Sequence, residues 1–547
     1  MKLIVSSFDD QVWVPVIRRI CDERGWSVCD WLVSHGSADP AISPGRAFPG
    51  AHVHFPERSS RGMLPEGLSA TMPPLDGEIL ARMAPYQPNF DALLSYYDPD
   101  GRSFTAEERR DAYHDLLRFG LYLIRKHQPG LYIACTVPHS LQDYILYACC
   151  RAFNIPTLVY VALPIPGYQV LHSSLEEGSG RLREAYRRNL EIHSDTDITL
   201  PQDLENHFRT VRSDYSAGEP WYVKLRDHSL VTNKLSLRSL LPNPFDRANY
   251  FRKFLSRLKA RSLWTAAFLA SPRKRYHDYF VKPMPDFLKC AGVPLRDSVS
   301  TQYSTDRMYA KGRAVKRRLL RRYLRLERAP DFSRPFVFVP LHYQPEVSTS
   351  PLGGKFHDQL LMLQMLARHL PSGWSIYVKE HKSIFDQFTR GHFCRSTDYY
   401  ERIAALPNVH LAPMGISSFD YIDRSRAVAT VTGTAGCEGL LRGKPTIVFG
   451  NAWYRDCEGA LDGGSESSCA IAFEKILAGH APGPRGIRLF LKTLVEVGVR
   501  ADRDRTYVLT GLSAKQSEDE LFRHFLRECP ATIGASAIHA KALPRGR

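Results

Sequence analysis

The sequence predicts an α/β protein whose sheets are largely parallel. Apolar, strand-like runs recur between residues 335 and 450, and helical patterns fill the intervals between them. Each of these runs ends at a polar or glycine-rich cluster. Because parallel sheets bind ligands outside the carboxyl ends of their strands, we expect the clusters to share one functional edge.

The C-terminal half contributes five predicted strands. They are short and almost wholly apolar, which is typical of strands buried on both faces of a sheet. They are Phe336–Leu341, Trp374–Val378, Val409–Leu411, Ala427–Val431 and Thr446–Phe449.

The first 165 residues show the same alternation of strands and helices. Thr105 and Glu108 have the spacing of a capping box, which predicts a helix from there to about His127. Further helices are predicted over Gln11–Arg24 and from Ser140 to about Phe153. The predicted strands are Leu3–Val5, Trp26–Val33, Ala51–Phe55, Leu131–Cys135 and Thr157–Val161.

A chain of 547 residues is too long for one hydrophobic core, so several domains are expected. Residues 1–165 are predicted to form an N-terminal α/β domain, and residues 331–460 a second one. Residues 166–330 are predicted to hold the end of the first domain and an inserted basic helical region. Residues 461–547 are predicted to be C-terminal helices followed by a basic tail.

The charge balance favours an anionic partner. The net charge is +16, from 73 Lys and Arg against 57 Asp and Glu. Basic residues concentrate in Arg252–Lys274 and Lys311–Arg328, where apolar residues are interleaved with them. Such segments predict basic amphipathic helices that lie on an anionic membrane surface. The alternative is a solvated helix packed on one side.

Several classes of protein are disfavoured by the sequence. The eleven cysteines form no paired framework and no CxxC, so reduced thiols and a cytoplasmic location are expected. No signal peptide and no apolar run of about 18 residues occur, so no membrane span is expected. Metal-ligand spacing is missing, so no metal site is predicted. Charge alone suggests nucleic acid, but no nucleic-acid-binding module occurs.

A small-residue turn after the fourth strand of the second half is a candidate phosphate site. Thr432, Gly433 and Thr434 join that strand to a helix, where backbone N–H groups and the helix N-terminus attract anions. The alternative is a tight turn in which Thr432 or Thr434 caps the helix. Glu438, one turn further on, has a carboxylate suited to the hydroxyls of a ribose, or it complements the helix dipole.

Two further clusters follow neighbouring predicted strands. Lys379, Glu380, His381 and Lys382 bring two ammonium groups and an imidazole, which suit a diphosphate or a leaving phosphate. The cluster of His342, Gln344 and Glu346 is held stiffly by Pro345. Its amide and carboxylate suit a base and a sugar, or Glu346 is a general base. A polar turn is the alternative.

The first domain offers a polar strand end of its own. His139 and Asp143 follow the strand Leu131–Cys135, and either is a candidate base that faces the second domain across a cleft. The alternative is a structural turn histidine and a surface aspartate.

Together these motifs resemble a known family. The strings PLHYQPE, VKEH, YY..I..LPNV.L.P and AVATVTGTAG.E.L.RGKP..VFG.AWY resemble bacterial capsular polysaccharide biosynthesis proteins, and more narrowly those related to capsule-linker β-Kdo transferases. The match is dense over Phe336–Tyr454. In that family a Gln-x-Glu motif and a His-Pro motif line the donor site. Gln344 and Glu346 carry the first here, whereas His381 is followed by Lys382 in place of proline.

The resemblance implies a GT-B-like fold, with two Rossmann-like domains facing a cleft. It implies inverting sugar transfer, best matched to CMP-Kdo as donor, onto a lipid-linked or glycan acceptor by a protein peripheral to the inner membrane. Other capsule assembly proteins are then expected partners, and no cofactor or metal is needed besides the donor. The alternatives are a non-catalytic capsule assembly or export factor with the same fold and, less favoured, a nucleic-acid-binding protein.

The resemblance and the residues assign two roles. His139 or Asp143 in the N-terminal, acceptor-side domain is the predicted catalytic base. The predicted donor-binding residues in the C-terminal, nucleotide-sugar domain are His342, Gln344, Glu346, Lys379, Glu380, His381, Lys382, Thr432, Gly433, Thr434 and Glu438.

Overall fold

A computed structural model describes eleven stretches of the chain. They are residues 1–7, 9–33, 42–54, 72–97, 105–165, 167–193, 198–213, 315–344, 346–386, 391–504 and 508–529.

The first sheet has seven strands in the order β13-β6-β5-β4-β1-β2-β3. Strands β1 to β5 pair in parallel, whereas β6 and β13 are antiparallel to their neighbours. The strands are β1 Lys2–Ser7, β2 Ser27–Val33, β3 His52–His54, β4 Leu131–Ala134, β5 Thr157–Ala162, β6 Tyr168–His172 and β13 Val499–Arg500.

Helices cover both faces of this sheet. Ala106–His127 and Leu141–Ala152 pack on one face, and Asp10–Arg24 packs on the other, where Trp13 and Trp31 are almost completely buried. The predicted capping box of Thr105 and Glu108 is present. The shorter helices of this domain are Pro44–Ala47, Gly77–Met83 and Gln87–Tyr97.

The second sheet has six strands, all parallel, in the order β12-β11-β10-β7-β8-β9. The strands are β7 Phe336–Pro340, β8 Ser375–Lys379, β9 Val409–Leu411, β10 Ala427–Thr430, β11 Thr446–Val448 and β12 Ala460–Asp462. Its helices are 315–326, Gln359–His369, Tyr399–Ala404, Ser418–Arg424, Thr434–Leu441 and Glu466–Leu477. The predicted α/β class, with two Rossmann-like sheets that are largely parallel, is therefore confirmed.

The C-terminal stretch returns to the first domain. Helix Pro484–Val497 packs against helix Gly180–Ile192 in a core shared by both domains, and helix Gln202–Ser213 also contributes to it. Strand β13 then extends the first sheet, and helix Ala514–Glu528 packs beside helix Asp10–Arg24. The first sheet thus takes in β6, within residues 166–330, and β13, within residues 461–547. A two-residue strand carries no periodicity from which this return is predictable.

The described part of the second basic segment is packed on the C-terminal core. Leu319, Leu320 and Tyr323 of helix 315–326 are buried there, and the ammonium group of Lys316 donates to Asp386 O. Its apolar face is therefore not available to a membrane, which corrects that part of the prediction for Lys311–Arg328. The other basic segment, Arg252–Lys274, lies outside the described residues. Over the stretches that the structure describes, no helix is long and apolar enough to cross a membrane.

Candidate functional site

The polar clusters meet at the carboxyl edge of the second sheet. Strand β7 lies between β10 and β8, so the three loops that follow these strands are neighbours. This edge faces the first domain, because Val347 and Leu352, which follow β7, pack against the first domain's core. Asn89 of the first domain also donates to Pro351 O at 3.4 Å.

Arg395 joins two of these loops from beneath. Its guanidinium donates to both carboxylate oxygens of Glu380, at 2.8 and 3.0 Å, and neither side chain is exposed. It also donates to His342 O at 2.9 Å and to Gln344 Oε1 at 2.8 Å. Tyr400 OH completes the group by donating to Glu380 Oε2 at 2.9 Å.

Gln344 is held from both ends of its amide. Its Nε2 donates to His357 O at 2.6 Å, and its Oε1 also accepts from Gln359 Nε2 at 2.7 Å. The side chains of Gln344 and Glu380 are thus occupied by protein partners. The structure gives both residues a supporting role beneath the edge, and the donor contacts that the sequence predicts for them stay a prediction.

His342 holds the turn that follows β10. Its Nε2 accepts from Thr432 N at 3.3 Å and lies 3.0 Å from Thr430 Oγ1, which in turn accepts from Gly433 N at 3.1 Å. Burial, with Arg395 nearby, lowers the pKa of His342 to about 4. The ring is therefore neutral near pH 7, and it positions the turn without bringing charge to an anion.

That turn leads into the helix Thr434–Leu441. Gly433 is the N-cap residue and no side chain caps the helix, so the predicted alternative of a threonine cap is wrong. Thr434 is exposed, whereas the hydroxyl of Thr432 donates to Ser348 O. Glu438, the predicted ribose ligand, is buried.

Tyr454 fixes the backbone of this turn. Its hydroxyl donates to Gly433 O at 2.5 Å. A Cβ atom at Gly436 would lie 2.1 Å from the same hydroxyl, so only glycine permits the approach. The small residues are thus explained by a tyrosine that packs against the helix start, and the exposed N-terminus is left facing the edge.

The cationic cluster after β8 divides into two parts. Lys379 is buried, and its Nζ donates to Ile416 O and to Ser418 Oγ. Burial, with Lys382 nearby, lowers the pKa of Lys379 to about 8. His381 and Lys382 are half-buried, and His381 Nδ1 accepts from Ser383 N at 3.2 Å. The second part is therefore the one that reaches the surface of the edge.

Glu346 lies in the loop after β7 and is half-buried. Its carbonyl oxygen accepts from Thr349 N and Ser350 N, both at 2.9 Å. Its Oε2 lies 3.5 Å from Ser348 Oγ, at the limit of a hydrogen bond. The backbone anchors the residue, and its carboxylate lies at the edge.

His139 and Asp143 follow β4 at the carboxyl edge of the first sheet. Asp143 is buried and accepts from Ser140 N and Ser140 Oγ, both at 2.7 Å, in a capping box that starts the helix Leu141–Ala152. Burial raises the pKa of Asp143. His139 is half-buried, and its Nδ1 donates to Val137 O at 2.7 Å, which leaves Nε2 with a lone pair.

Several residues at these edges escape prediction from the sequence. Arg395 and Gln359 form the buried network around Gln344. Asn451 donates to Leu175 O between the domains. Arg503 donates to Thr136 Oγ1 at 3.0 Å beside the end of β4. Asn451 follows a predicted strand end and was identifiable on that ground. Arg395 and Arg503 lie in irregular segments, where no periodicity marks them.

Comparison with known proteins bears on the second domain. Residues 327–468 match the family described as capsule polysaccharide biosynthesis protein. The match spans β7 to β12 and contains every predicted donor-binding residue. It confirms, for this segment, the resemblance that the motifs carry. A search of curated proteins finds no match to the chain.

Solved structures give weaker similarities. The β-Kdo 2,7 transferase KpsC of Thermosulfurimonas dismutans is 19% identical, with 40% of this chain and 62% of that chain covered and a TM-score of 0.21. The β-Kdo 2,4 transferase KpsC of the same organism is 18% identical, with 34% and 55% covered and a TM-score of 0.22.

A third structure covers more of the chain. The UDP-GlcNAc 2-epimerase of Methanocaldococcus jannaschii is 9% identical, with 91% of this chain and 100% of that chain covered and a TM-score of 0.22. Similarities with such TM-scores carry no argument about activity. The chain also spans less than two thirds of the length of both Kdo transferases.

Proposed function

We propose that the chain is a glycosyltransferase of capsule or surface polysaccharide biosynthesis. It transfers a sugar with inversion from a nucleotide donor, best matched to CMP-Kdo, to a lipid-linked or glycan acceptor. One observation carries the proposal: the uncapped helix start at Gly433 and the half-buried His381 and Lys382 lie at the same carboxyl edge of the second sheet.

The donor phosphate fits this edge. N–H groups at the start of an uncapped helix point outward, and the helix dipole favours an anion there. Thr434 adds an exposed hydroxyl, and Lys382 adds an ammonium group from the neighbouring loop. Together they stabilise the charge that develops on the leaving phosphate, so the proposed transfer needs no metal ion.

The nucleoside and the sugar are assigned to the carboxylates. Glu346 is the better placed, because its side chain is half-buried and its loop packs toward the first domain. Glu438 is buried one turn below the helix start, so we assign it to the inner wall of the site.

The acceptor is activated from the opposite domain. Inversion requires a base on the side of the sugar opposite the leaving phosphate. His139 suits this role, because the Nδ1 hydrogen bond to Val137 O directs the basic lone pair to Nε2. Asp143 serves as the helix cap that supports the turn of His139.

Binding and turnover of nucleotides test the proposal. The purified full chain is titrated calorimetrically with CMP, UDP and GDP, and consumption of CMP-Kdo is then followed with a lipid-linked glycan acceptor. We expect CMP to bind most tightly and CMP-Kdo to be consumed only with an acceptor. Preference for UDP or GDP would overturn the donor assignment, and no binding of any nucleotide would overturn the function.

A non-catalytic assembly or export factor is the second candidate. It is favoured by the number of predicted donor residues, Gln344, Lys379 and Glu380 among them, whose side chains serve the fold. Binding of CMP without consumption of the donor under any acceptor condition would point to this function.

Membrane association is proposed to be electrostatic. Arg318, Arg321 and Arg325 on helix 315–326 are exposed, although Leu319, Leu320 and Tyr323 are packed inward. Such a surface attracts anionic lipid headgroups without inserting between them. It would hold the enzyme at the inner membrane, where lipid-linked acceptors are found.

A further inference from the structure

A cluster of potential metal ligands lies in the first domain, away from the proposed donor site. The Sγ of Cys29, a carboxylate oxygen of Asp30 and a ring nitrogen of His127 lie within 4.8 Å of one another. His54 adjoins them, with Nε2 at 2.9 Å from Asp30 Oδ1. Three of these residues belong to strands β2 and β3, and His127 ends the helix Ala106–His127.

A β-bulge places Cys29 and Asp30 on the same face of the sheet. In parallel pairing with β1, Val28 lies opposite Leu3 and Asp30 lies opposite Ile4, so Cys29 is the extra residue. Consecutive strand residues otherwise point to opposite faces, and a bulge redirects them. Cys29 accordingly packs in the core beneath helix Ala106–His127. The bulge thus turns both side chains toward His127.

Two polar atoms in this cluster lack hydrogen-bond partners. The side chain of Asp30 is completely buried, yet its Oδ2 makes no hydrogen bond. The Nε2 atom of His127 is also buried without a hydrogen bond, 3.6 Å from that oxygen. Leaving a buried carboxylate oxygen unsatisfied is costly, so the arrangement calls for a bound group between the two atoms.

We propose that Cys29, Asp30 and His127 bind a divalent transition metal, with Zn²⁺ as the best fit, and that His54 orients Asp30 through their hydrogen bond. One thiolate, one carboxylate and one imidazole are ligands of the kinds that zinc takes, at about 2.0–2.3 Å from the ion, and a water molecule would fill the fourth position of a tetrahedral site. The Cys29 thiol now donates to Leu3 O at 3.1 Å, so metal binding releases that proton. The ring of His52 contacts that of His127 at a tilt of 56°, with ring centroids 5.3 Å apart, and supports its orientation.

The role of this site is structural. His127 precedes the amino end of β4, and Gly130 N donates to Lys2 O at the start of β1, so the cluster lies toward the edge opposite His139. Strand β3 is the outermost strand of the sheet and has only three residues. A metal ion bound by Asp30 and His127 would link β2 to the helix Ala106–His127, and the hydrogen bond between His54 and Asp30 joins the edge strand β3 to the same site. The sequence predicted no metal site because these ligands follow no short-range spacing.

The test uses the full chain, freed of metal with a chelator and then titrated with Zn²⁺ or Co²⁺. We expect one ion per chain, a rise in the thermal midpoint, and a cobalt spectrum with tetrahedral visible bands and a thiolate charge-transfer band. Cys29→Ser should remove the charge-transfer band, and Asp30→Asn and His127→Gln should weaken binding at least tenfold. Circular dichroism first checks that each variant is folded.

Matched controls separate this site from adventitious binding. Cys21→Ser replaces another buried cysteine of the same domain, and His480→Gln replaces an exposed histidine of the second. Both should bind like the unaltered chain. Absence of stoichiometric binding, or binding that all the cluster variants retain, would overturn the proposal. So would a cobalt spectrum that Cys29→Ser leaves unchanged.

Discussion

Arg395 donates to both carboxylate oxygens of Glu380, at 2.8 and 3.0 Å, and neither side chain exposes any surface. The pair underlies the loops after β7 and β8, because the same guanidinium also donates to His342 O and Gln344 Oε1. Taking two charges out of water is expensive, and only a bidentate, fully hydrogen-bonded pair compensates for it. The geometry of the candidate donor site therefore depends on a buried ion pair beneath these loops.

Removing one charge of this pair should strongly destabilise the second domain. In Glu380→Gln the guanidinium of Arg395 stays buried without its counter-ion, a change that typically costs about 3–5 kcal/mol. Urea denaturation followed by tryptophan fluorescence and far-ultraviolet circular dichroism measures the loss.

An exposed pair is the control for this prediction. Arg368 and Glu466 approach to 2.8 Å, but 73% and 61% of their side-chain surfaces are exposed. Arg368→Gln should leave the denaturation midpoint almost unchanged, because exposed pairs contribute little. If Glu380→Gln proved as mild as Arg368→Gln, the buried pair would not hold the edge together.

Changes at the proposed phosphate site should weaken nucleotide binding without affecting the fold. Lys382→Ala and Thr434→Val each remove one donor from the edge, and a hydrogen bond to a charged group contributes about 1.5–3 kcal/mol. Calorimetric titration with CMP measures the effect. Because both residues are at least partly exposed, their thermal midpoints should stay close to that of the unaltered chain.

Conservative variants sharpen this test. Thr434→Ser keeps the hydroxyl, and Lys382→Arg keeps the charge, so both should retain most of the affinity for CMP. Gln344→Met should instead lower stability, because it removes the acceptor for Arg395 and the donor to His357 O. Full affinity in both Lys382→Ala and Thr434→Val would place the nucleotide elsewhere.

The buried imidazole of His342 should make stability depend on pH. Its pKa is about 4 in the folded chain, against an ordinary value of 6.5, so the unfolded chain binds an extra proton between these values. Stability is therefore complete above about pH 6.5 and decreases as the pH falls toward 4, by about 3 kcal/mol in total for a shift of this size.

His342→Gln tests this contribution through the slope of the unfolding free energy against pH. Glutamine keeps an acceptor for Thr432 N but does not titrate. The slope of the unfolding free energy against pH below 6.5 should therefore be smaller in this variant, by an amount that corresponds to at most one bound proton. His172 and His524, whose pKa values burial also lowers to about 4, continue to supply the remaining slope. An unchanged slope in His342→Gln would show that this imidazole is protonated in the folded chain.

Local sequence patterns predict much of this fold. The features that depend on long-range contacts could not be predicted from the sequence. The strands β7, β8 and β10 are largely apolar, so their ends and the clusters that follow were predictable. Which of those polar side chains serve the fold was not, because the partners of Gln344 and Glu380 come from Arg395 and Gln359. A cluster at a strand end looks the same in sequence whether its side chains face a ligand or a buried arginine.

The basic segment illustrates the same limit. Interleaved basic and apolar residues in Lys311–Arg328 are compatible with a membrane or with a protein core, and periodicity alone does not distinguish them. The packing of Leu319 and Tyr323 against the second sheet decides the matter for the described helix.

Reversing the exposed charges of this helix should weaken membrane binding. We expect the full chain to float with vesicles that contain phosphatidylserine at low salt and to be released as salt screens the attraction. The double variant Arg318→Glu/Arg321→Glu should float less, because each basic residue near the surface contributes about 1 kcal/mol.

The control places the same change on another helix. Arg187 and Arg188 are exposed on helix Gly180–Ile192, and Arg187→Glu/Arg188→Glu alters the net charge by the same amount. Flotation that drops equally in both double variants would attribute binding to overall charge, and flotation with neutral vesicles would contradict an electrostatic association.

Replacing His139 should strongly slow sugar transfer while leaving the donor bound. A positioned general base contributes about 10²–10⁴-fold to rate, so His139→Ala should lower kcat within that range and leave the affinity for CMP unchanged. Asp143→Asn should behave differently, because Asp143 accepts from Ser140 N and Oγ at the helix start and its loss weakens a cap. It should lower the thermal midpoint and retain most of the activity.

Initial rates taken directly after adding EDTA should be unaffected if the leaving phosphate is stabilised by Lys382 and the helix N-terminus. Full activity in His139→Ala, or immediate loss of activity with EDTA, would rule out this mechanism.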